Sequence, residues 1–454
     1  MSQSSSAPSP ATPPVDVEKV RQQFDGTPYP WLPMDTGLQE YRRLFLIHCA
    51  ATAFYARDRH LDHLSLGEDL TILDVGCGSG FKGLLLAHAN PGARVLGIDI
   101  SGKSIELAQE RAEIQGMADA LEFQVMDIAD LANLEERFDY INCDEVLYLL
   151  PDPTAALAAM KAALKPHGII RTNLHNCYQR SMIYDAQECL KRLGMWDWHD
   201  QEQGIEAVEA FLNALSPRLG IASTWQSHRD RDKADRAEVV MSNFLLRGDR
   251  GFSVLDMVQM LAGAGLEFTR MVEPTSWDFV RLFRDHEALP NPVPERLAAS
   301  DQFEKMHLHE LLSPSNRLID FWCSPVPVRD RADAATWTES DWEAHAVALH
   351  PLLHTPEFQE QLFDAARTLK PLDLRQLLPV THGLAVVSSQ LTPALIPLLD
   401  GPQSRDRLLQ RLLEVYPLNP VTGEATDRDR LKTALATAII DLEAAGYLLL
   451  LPQP

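Results

Sequence analysis

Leu70-Thr-Ile-Leu-Asp-Val-Gly-Cys-Gly-Ser-Gly80 combines a short apolar run with three glycines at alternate positions. The apolar run predicts a buried β-strand, and the apolar residues from Phe81 onward predict a helix. Glycines in such a loop allow a tight turn and a close approach to a ligand, while the amino end of the helix faces an anionic group. The segment therefore predicts a strand–loop–helix unit that binds a small molecule.

Two residues distinguish this loop from a dinucleotide-binding loop. The dinucleotide fingerprint has glycine where this chain has Phe81. Asp74 lies two residues before the first glycine, where its negative charge would repel a pyrophosphate but would suit an ammonium group. These residues favour a nucleoside that carries an amino acid over a nicotinamide cofactor.

Two further carboxylates follow predicted strands. Asp99 ends the next strand, where an acidic side chain accepts hydrogen bonds from ribose hydroxyls. Asp127 follows the third strand, beside Met126 and Ile128, where it would accept from the amino group of an adenine. Either carboxylate alone could be a solvated strand end, but their register with the glycine loop favours ligand contacts.

Strands and helices alternate from Leu70 onward, which predicts an α/β fold with a doubly wound, mostly parallel, seven-stranded sheet. An amphipathic helix over 39–56 precedes it. The last two strands are expected to form an antiparallel pair. The predicted strands are 70–75, 94–98, 121–126, 138–142, 168–174, 266–272 and 317–323, and the helices between them are 81–89, 103–115, 154–164 and 253–264.

The chain is expected to have three parts. Residues 1–35 form an N-terminal lid preceded by a disordered tail, and residues 36–328 form the α/β domain. Within that domain, insertions at about 176–250 and 275–314 form a helical cap. Residues 329–454 are mainly helical, with a possible winged-helix-like arrangement and a possible role in forming a homodimer.

Composition excludes several classes of partner. The net charge of −23 argues against a nucleic-acid surface and suits a cationic acceptor. The chain has neither an apolar run of the ~20 residues that span a bilayer nor a signal peptide, so a cytoplasmic protein without membrane contact is expected. The six cysteines are scattered without metal-ligand spacing. His307, His309 and Glu310 are interpreted as structural, and no metal site is expected.

The chain resembles class I S-adenosylmethionine-dependent methyltransferases over residues 65–175 and, more weakly, 250–325. The matching motifs are the glycine loop, Val95-Leu-Gly-Ile-Asp-Ile-Ser101, Met126-Asp-Ile128, Glu145-Val-Leu-Tyr-Leu-Leu-Pro-Asp-Pro153 and Leu164-Lys-Pro-His-Gly168. The resemblance implies S-adenosyl-L-methionine as the cofactor. The residues that it implies for cofactor binding are Asp74, Gly76, Cys77, Gly78, Gly80, Asp99, Ile100, Asp127, Ile128 and Asp144.

A narrower resemblance concerns bacterial methyltransferases with a C-terminal regulatory domain, a group that includes protein-lysine methyltransferases. It rests on Phe24-Asp-Gly-Thr-Pro-Tyr-Pro30 and Ile396-Pro-Leu-Leu-Asp-Gly401. It implies methyl transfer to a lysine nitrogen of a protein. Two alternatives stay open: a small-molecule N- or O-methyltransferase, and a non-catalytic scaffold that binds the cofactor.

The catalytic candidates are Tyr148, Glu145, His175 and Tyr29. An amine must lose a proton before it attacks, and a tyrosine or a carboxylate can help to position it. Tyr148 stands where many relatives have a histidine, which removes one candidate base. Trp196 and Trp198 are candidates for an aromatic wall in the cap that attracts a cation.

Overall fold

The computed structural model describes residues 15–58, 70–226, 233–285, 287–328, 334–379, 385–418 and 422–453. The predicted disordered tail, residues 1–14, lies outside these ranges.

The central sheet is mostly parallel, as the sequence predicts. Its strands occur in the order β3-β2-β1-β4-β5-β8-β7, and β6 pairs with β5. Strands β1 to β5 pair in parallel, while β8 is antiparallel to both β5 and β7. The strands are β1 Thr71–Val75, β2 Arg94–Asp99, β3 Leu121–Val125, β4 Phe138–Cys143, β5 Leu164–Asn176, β6 Gly251–Phe252, β7 Glu267–Met271 and β8 Leu318–Ser324.

Helices flank the sheet and occupy much of the two predicted insertions. Capping side chains mark several helix starts: Ser101 accepts from the backbone N–H of Ser104, and Asp152 accepts from that of Ala155. The order of strands reverses between β1 and β4, which opens a crevice at their carboxyl ends. The helices are α1 Val17–Gly26, α2 Phe45–His48, α3 Ala50–Asp58, α4 Phe81–Ala89, α5 Gly102–Ile114, α6 Pro153–Ala163, α7 Ser181–Arg192, α8 Gln201–Ala214, α9 Gly220–Gln226, α10 Lys233–Val239, α11 Val254–Ala264, α12 Val293–Ala299 and α13 Gln302–Leu312.

The single helix predicted over 39–56 is wrong, because the chain is extended at Cys49, between α2 and α3. The side chain of Asn90 stabilises this break. Its Nδ2 donates to the carbonyl of His48 at 2.9 Å, and its Oδ1 accepts from the N–H of Ala50 at 2.8 Å. These two bonds satisfy backbone groups that a continuous helix would pair internally.

The C-terminal region contains more strand than the sequence predicts. Strand β9 pairs antiparallel with β12 and β13, and β10 pairs with β11. The elements are α14 Glu339–Glu343, β9 His345–Leu349, α15 Pro356–Thr368, β10 Leu372–Asp373, β11 Val386–Val387, β12 Gln403–Ser404, α16 Arg405–Val415, α17 Arg428–Ala444 and β13 Leu448–Pro452. The winged-helix-like arrangement stays a prediction.

The C-terminal region shares a hydrophobic core with the α/β domain. Phe45 of α2 and Leu85 of α4 belong to the same buried cluster as Phe358 and Tyr447. The hydroxyl of Tyr55 also donates to Glu443 at 2.6 Å. Because so much apolar surface is buried between them, the two regions stabilise each other. Among the described helices, none has the length and apolar character required to cross a bilayer.

Candidate active site

A cavity of about 540 Å³ lies at the carboxyl ends of the central strands. Its walls combine the glycine loop, the ends of β2 and β4, the start of α6 and one face of α1. The predicted cofactor residues that line it are Gly76, Gly78, Asp99, Ile100, Asp127, Ile128 and Asp144. Asp74, Cys77 and Gly80 do not line the cavity, and Asp74 and Cys77 are buried.

The glycine loop adopts a backbone conformation that disfavours a side chain at any of its three glycines. Gly76, Gly78 and Gly80 all have positive φ angles, of 68°, 52° and 83°. A Cβ on Gly76 would overlap the side chain of Val146, and a Cβ on Gly78 would overlap the carbonyl oxygen of Tyr29. The loop therefore forms a cradle of bare backbone, as close contact with a ligand requires.

Asp99 and Asp127 are fixed by backbone donors. The N–H of Gly78 donates to Asp99 Oδ2 at 3.0 Å, and the N–H of Ser101 donates to Asp99 Oδ1 at 2.8 Å. Burial raises the pKa of Asp99. Asp127 Oδ1 accepts from the N–H of Ala129 at 2.9 Å. Because a carboxylate oxygen accepts more than one hydrogen bond, both side chains retain capacity for ligand hydroxyl or amino groups.

Asp74 is fully buried beneath the loop. Its Oδ1 accepts from Asn142 Nδ2 at 2.7 Å, whereas its Oδ2 has no hydrogen-bond partner within the described parts of the chain. Burial raises the pKa of Asp74 to about 7. A buried carboxylate with an unsatisfied oxygen is costly without a cation. The cradle and this carboxylate together fit a small ligand with an ammonium group.

An ionic cluster centred on the buried residues Asp144 and Arg171 supports the same wall. Lys82 Nζ contacts Asp144 Oδ2, and Asn173 Nδ2 donates to Asp144 Oδ1 at 2.6 Å. Arg171 Nη2 lies 3.4 Å from Asp144 Oδ1 and donates to Asp320 Oδ2 at 2.7 Å. Although burial opposes it, Arg171 and Lys82 hold the pKa of Asp144 well below its usual range. Asp144 therefore remains anionic at the cavity wall.

Three residues of this cluster were not predicted from the sequence: Lys82, Arg171 and Asp320. One signal was available for Arg171, because a lone arginine interrupts the apolar fifth strand at Gly168-Ile-Ile-Arg-Thr172. Charged residues are seldom fully buried unless they are paired, so such an arginine indicates a buried partner.

A second cavity, of about 310 Å³, adjoins the first. Both cavities are lined by Phe24, Tyr29, Glu145 and Leu149. Residues between 238 and 246 form another part of the wall of the smaller cavity. Trp31, Tyr148 and Arg317 also line it. Three of the four predicted catalytic residues, Tyr29, Glu145 and Tyr148, thus come together where the two cavities meet.

Glu145 is locked in an unusual conformation. Its φ is 65°, which is strained for a residue with a side chain. Its N–H donates to Asn173 Oδ1 at 2.8 Å. Its carboxylate accepts from both Nη atoms of Arg317 and, at 2.8 Å, from the hydroxyl of Tyr148. Although burial opposes it, Arg317 holds the pKa of Glu145 far below its usual range.

His175, the fourth predicted catalytic residue, does not line either cavity. Its Nδ1 lies 2.7 Å from Asp249 Oδ1, and its Nε2 lies 3.2 Å from Arg317 Nη1. Its ring stacks on that of Tyr148, with 3.6 Å between the centroids. With Nδ1 protonated and Nε2 accepting from Arg317, His175 orients both Tyr148 and the arginine that holds Glu145.

Two other candidate groups are placed elsewhere. Trp196 and Trp198 line a separate cavity. The ring of Trp196 contacts two cations of this chain, Lys191 Nζ at 4.5 Å and Arg247 Cζ at 4.9 Å. His307 contacts Glu310 at 2.7 Å. Within the described residues, no group of three or more His, Cys, Asp or Glu side chains is arranged to hold a metal ion.

Comparisons with known proteins agree with this geometry. A family model described as a methyltransferase domain matches residues 66–217. An uncharacterised protein of Synechococcus sp. is 30% identical over 281 residues, which cover 61% of this chain and 64% of that protein. The chain therefore spans slightly less than two thirds of the length of this relative.

Two named proteins are also similar. A ubiquinone biosynthesis O-methyltransferase of Neisseria meningitidis serogroup A is 33% identical over 170 residues, which cover 36% of this chain and 71% of the relative. The structure of PKMT2 from Rickettsia typhi in complex with AdoHcy has a TM-score of 0.56, with 16% identity, and covers 93% of this chain and 77% of that one. The latter similarity concerns the fold. The chain belongs to the class I S-adenosylmethionine-dependent methyltransferases.

Proposed function

We propose that this protein transfers a methyl group from S-adenosylmethionine to an amine nitrogen, and that the acceptor is a lysine side chain of a protein. The observation that carries the proposal is the 310 Å³ cavity that meets the cofactor-sized cavity at Tyr29 and Glu145. Its polar wall includes two phenols, the carboxylates of Glu145 and Glu238 and the guanidinium of Arg317. The two carboxylates outnumber the one guanidinium, which suits a cationic or hydrogen-donating acceptor.

The larger cavity would hold the cofactor through this chain's own fixed groups. Asp99 would accept from the ribose hydroxyls, and Asp127 with Ile128 would contact the adenine. The backbone of the glycine loop and Asp74 would bind the amino-acid end. Bound S-adenosylmethionine supplies a methyl group that is already activated by its sulfonium. The protein therefore has to align the acceptor and exclude water.

Tyr148 is placed to orient the acceptor. Its hydroxyl proton is directed to Glu145 Oε2, so the lone pairs of its oxygen remain available to accept an N–H of the incoming amine. Burial and the neighbouring Glu145 raise the pKa of Tyr148, which keeps the phenol protonated. Because Arg317 keeps Glu145 ionised, Glu145 acts here as a fixed acceptor for Tyr148 and not as the base.

The choice of a protein acceptor rests on charge and fold similarity. A net charge of −23 favours encounter with lysine-rich surfaces. The fold is similar to that of PKMT2 over 93% of this chain. The C-terminal region contributes no residue to either cavity within the described ranges, so it is free to contact a partner protein. The homodimer expected through that region stays a prediction.

A small-molecule O- or N-methyltransferase is the second candidate. It is favoured by the relatives named ubiquinone biosynthesis O-methyltransferase and by the volume of the acceptor cavity. Metabolite pockets typically measure about 300–1,000 Å³, so this cavity lies at the small end of that range.

The distinguishing experiment supplies methyl-labelled cofactor and a host lysate to the full-length protein. We expect label in protein that survives denaturation and, after hydrolysis, elutes as methyl-lysine. Label only in extractable metabolites would establish the second candidate. Absence of transfer despite measurable binding of S-adenosylhomocysteine would support the scaffold alternative. A Gly78→Val variant serves as the control without a working cradle.

Tyr148→Phe tests the orientation of the acceptor. Loss of the hydroxyl removes the oxygen that accepts the amine N–H. The kcat for methyl transfer to the acceptor should therefore fall about 10- to 100-fold. Affinity for S-adenosylhomocysteine, measured by calorimetry, should stay unchanged. Tyr416→Phe in the C-terminal region is the matched control. Full activity of Tyr148→Phe would show that the acceptor nitrogen lies elsewhere.

Asp99→Ala tests the ribose contact. Two hydrogen bonds to a charged group would be lost, so the Kd for S-adenosylhomocysteine should rise about 10- to 100-fold. Calorimetry on the purified variant measures the effect, and Asp119→Ala, an exposed aspartate, is the control. An unchanged Kd would mean that the ribose assignment is wrong.

Asp74→Asn tests the ammonium contact through pH. Burial raises the pKa of Asp74 to about 7, so an ammonium that pairs with the carboxylate must displace a proton below that pH. The affinity of the wild-type protein for S-adenosylhomocysteine should therefore increase with pH, by up to about tenfold per unit, and level off above 7. Titrations between pH 6 and 8 should show this slope in the wild type and in Asp119→Asn. Persistence of the full slope in Asp74→Asn would contradict the assignment.

A further inference from the structure

A ten-residue segment, residues 27–36, lies over the glycine loop and is called the strap here. Ser79 binds the strap directly. Its N–H donates to the carbonyl of Tyr29 at 2.9 Å, and its hydroxyl donates to the carbonyl of Pro30 at 2.8 Å. Gly78 permits this approach, because a Cβ there would overlap the same Tyr29 carbonyl. The loop that cradles the cofactor thus also carries the strap.

Arg111, on α5, binds both the strap and the glycine loop. Its Nε donates to the carbonyl of Ser79 at 2.9 Å, its Nη1 to that of Pro33 at 2.8 Å, and its Nη2 to that of Leu32 at 2.8 Å. One turn later, Gln115 Nε2 donates to the carbonyl of Met34 at 2.9 Å. All three guanidinium nitrogens of Arg111 therefore bind backbone.

The surroundings of Arg111 are unusual for a cation. Its exposed fraction is only 1%, and burial lowers its pKa. Within the described residues, every hydrogen bond of Arg111 goes to a carbonyl and none to a carboxylate, and its Cζ lies 5.9 Å from the centroid of the Phe81 ring. Burying a charge without an ionic partner is costly. A lysine could not replace it, because its single nitrogen cannot match three carbonyls in a planar fork.

The strap connects the two cavities. The side chain of Tyr29 lines both of them, while its carbonyl accepts from the glycine loop. Trp31, on the same strap, lines the acceptor cavity, and its N–H donates to Glu238 at 3.2 Å. A movement of the glycine loop would therefore displace a wall of the acceptor cavity.

We propose that Ser79 and Arg111 form a clamp through which occupancy of the glycine loop by the cofactor holds Tyr29 and Trp31 in the wall of the acceptor cavity. Arg111 is then a positioning residue that touches neither ligand. The clamp rests on the proposed function in one respect, because it requires that the cofactor bind to the glycine loop. It does not depend on the identity of the acceptor.

Hydrogen exchange of the full-length protein, with and without S-adenosylhomocysteine, tests the clamp. In the wild type, the ligand should slow exchange of the amides in residues 28–36 by at least about tenfold. Arg111→Met should abolish this protection and weaken S-adenosylhomocysteine binding about 10-fold. Arg111→Lys should resemble Arg111→Met, since it keeps the charge and loses the fork.

Two further variants keep the test decisive. Ser79→Ala removes one strap bond and leaves Arg111 in place, so it should lose part of the protection even if Arg111→Met fails to fold. Arg137→Met is the matched control, because Arg137 also donates to carbonyls but lies exposed and outside both cavity walls. It should behave as the wild type.

The outcomes separate the clamp from the proposed function. Ligand binding without slower exchange in the strap, or full strap protection in the folded Arg111→Met and Ser79→Ala variants, would overturn the clamp alone. A wild-type protein that does not bind S-adenosylhomocysteine would overturn the cofactor assignment and the clamp with it.

Discussion

The site depends on one steric constraint, the absence of a side chain at Gly78. The strap carbonyl of Tyr29 occupies the space that a Cβ would need, and Ser79 binds that carbonyl. The same lack of side chains exposes the loop backbone to the larger cavity. Because a single loop serves the ligand and the strap, both cavities are built around it, and Tyr29 belongs to the walls of both.

Electrostatic balance is the second constraint. The ionic cluster contains three carboxylates, those of Asp74, Asp144 and Asp320, against the two cations of Lys82 and Arg171. Asp74, Asp144 and Arg171 are buried, whereas Lys82 and Asp320 are partly exposed. Burial raises the pKa of Asp74 to about 7 and that of Asp320 to about 6. Such a cluster is costly in a low-dielectric interior unless a further cation arrives. In the proposed function, the ammonium group of the ligand would supply one.

Local signals were enough to predict the fold and to bring several of the candidate cofactor residues to one cavity. Each of these signals lies within a few residues of the feature that it indicates. Apolar runs predicted the strands, and the spacing of the glycines and of the acidic strand ends predicted that Asp99 and Asp127 lie at the cavity. Contacts between residues far apart in the sequence could not be predicted. Arg317 pairs with Glu145 across 172 positions, and Arg111 binds Pro33 across 78. Asn90 breaks the predicted 39–56 helix from 40 residues away. Neither periodicity nor spacing contains such information.

The conformational strain at Glu145 argues against a scaffold that only binds the cofactor. Glu145 keeps a strained φ of 65°, a conformation that costs on the order of 1–3 kcal/mol and persists only where the surroundings impose it. Asn173, Arg317 and Tyr148 impose it here, and His175 with Asp249 orients Arg317. A protein that only bound the cofactor would need the larger cavity alone. Strain and buried charge concentrated at the junction with the smaller cavity indicate that a second molecule is held there against the cofactor.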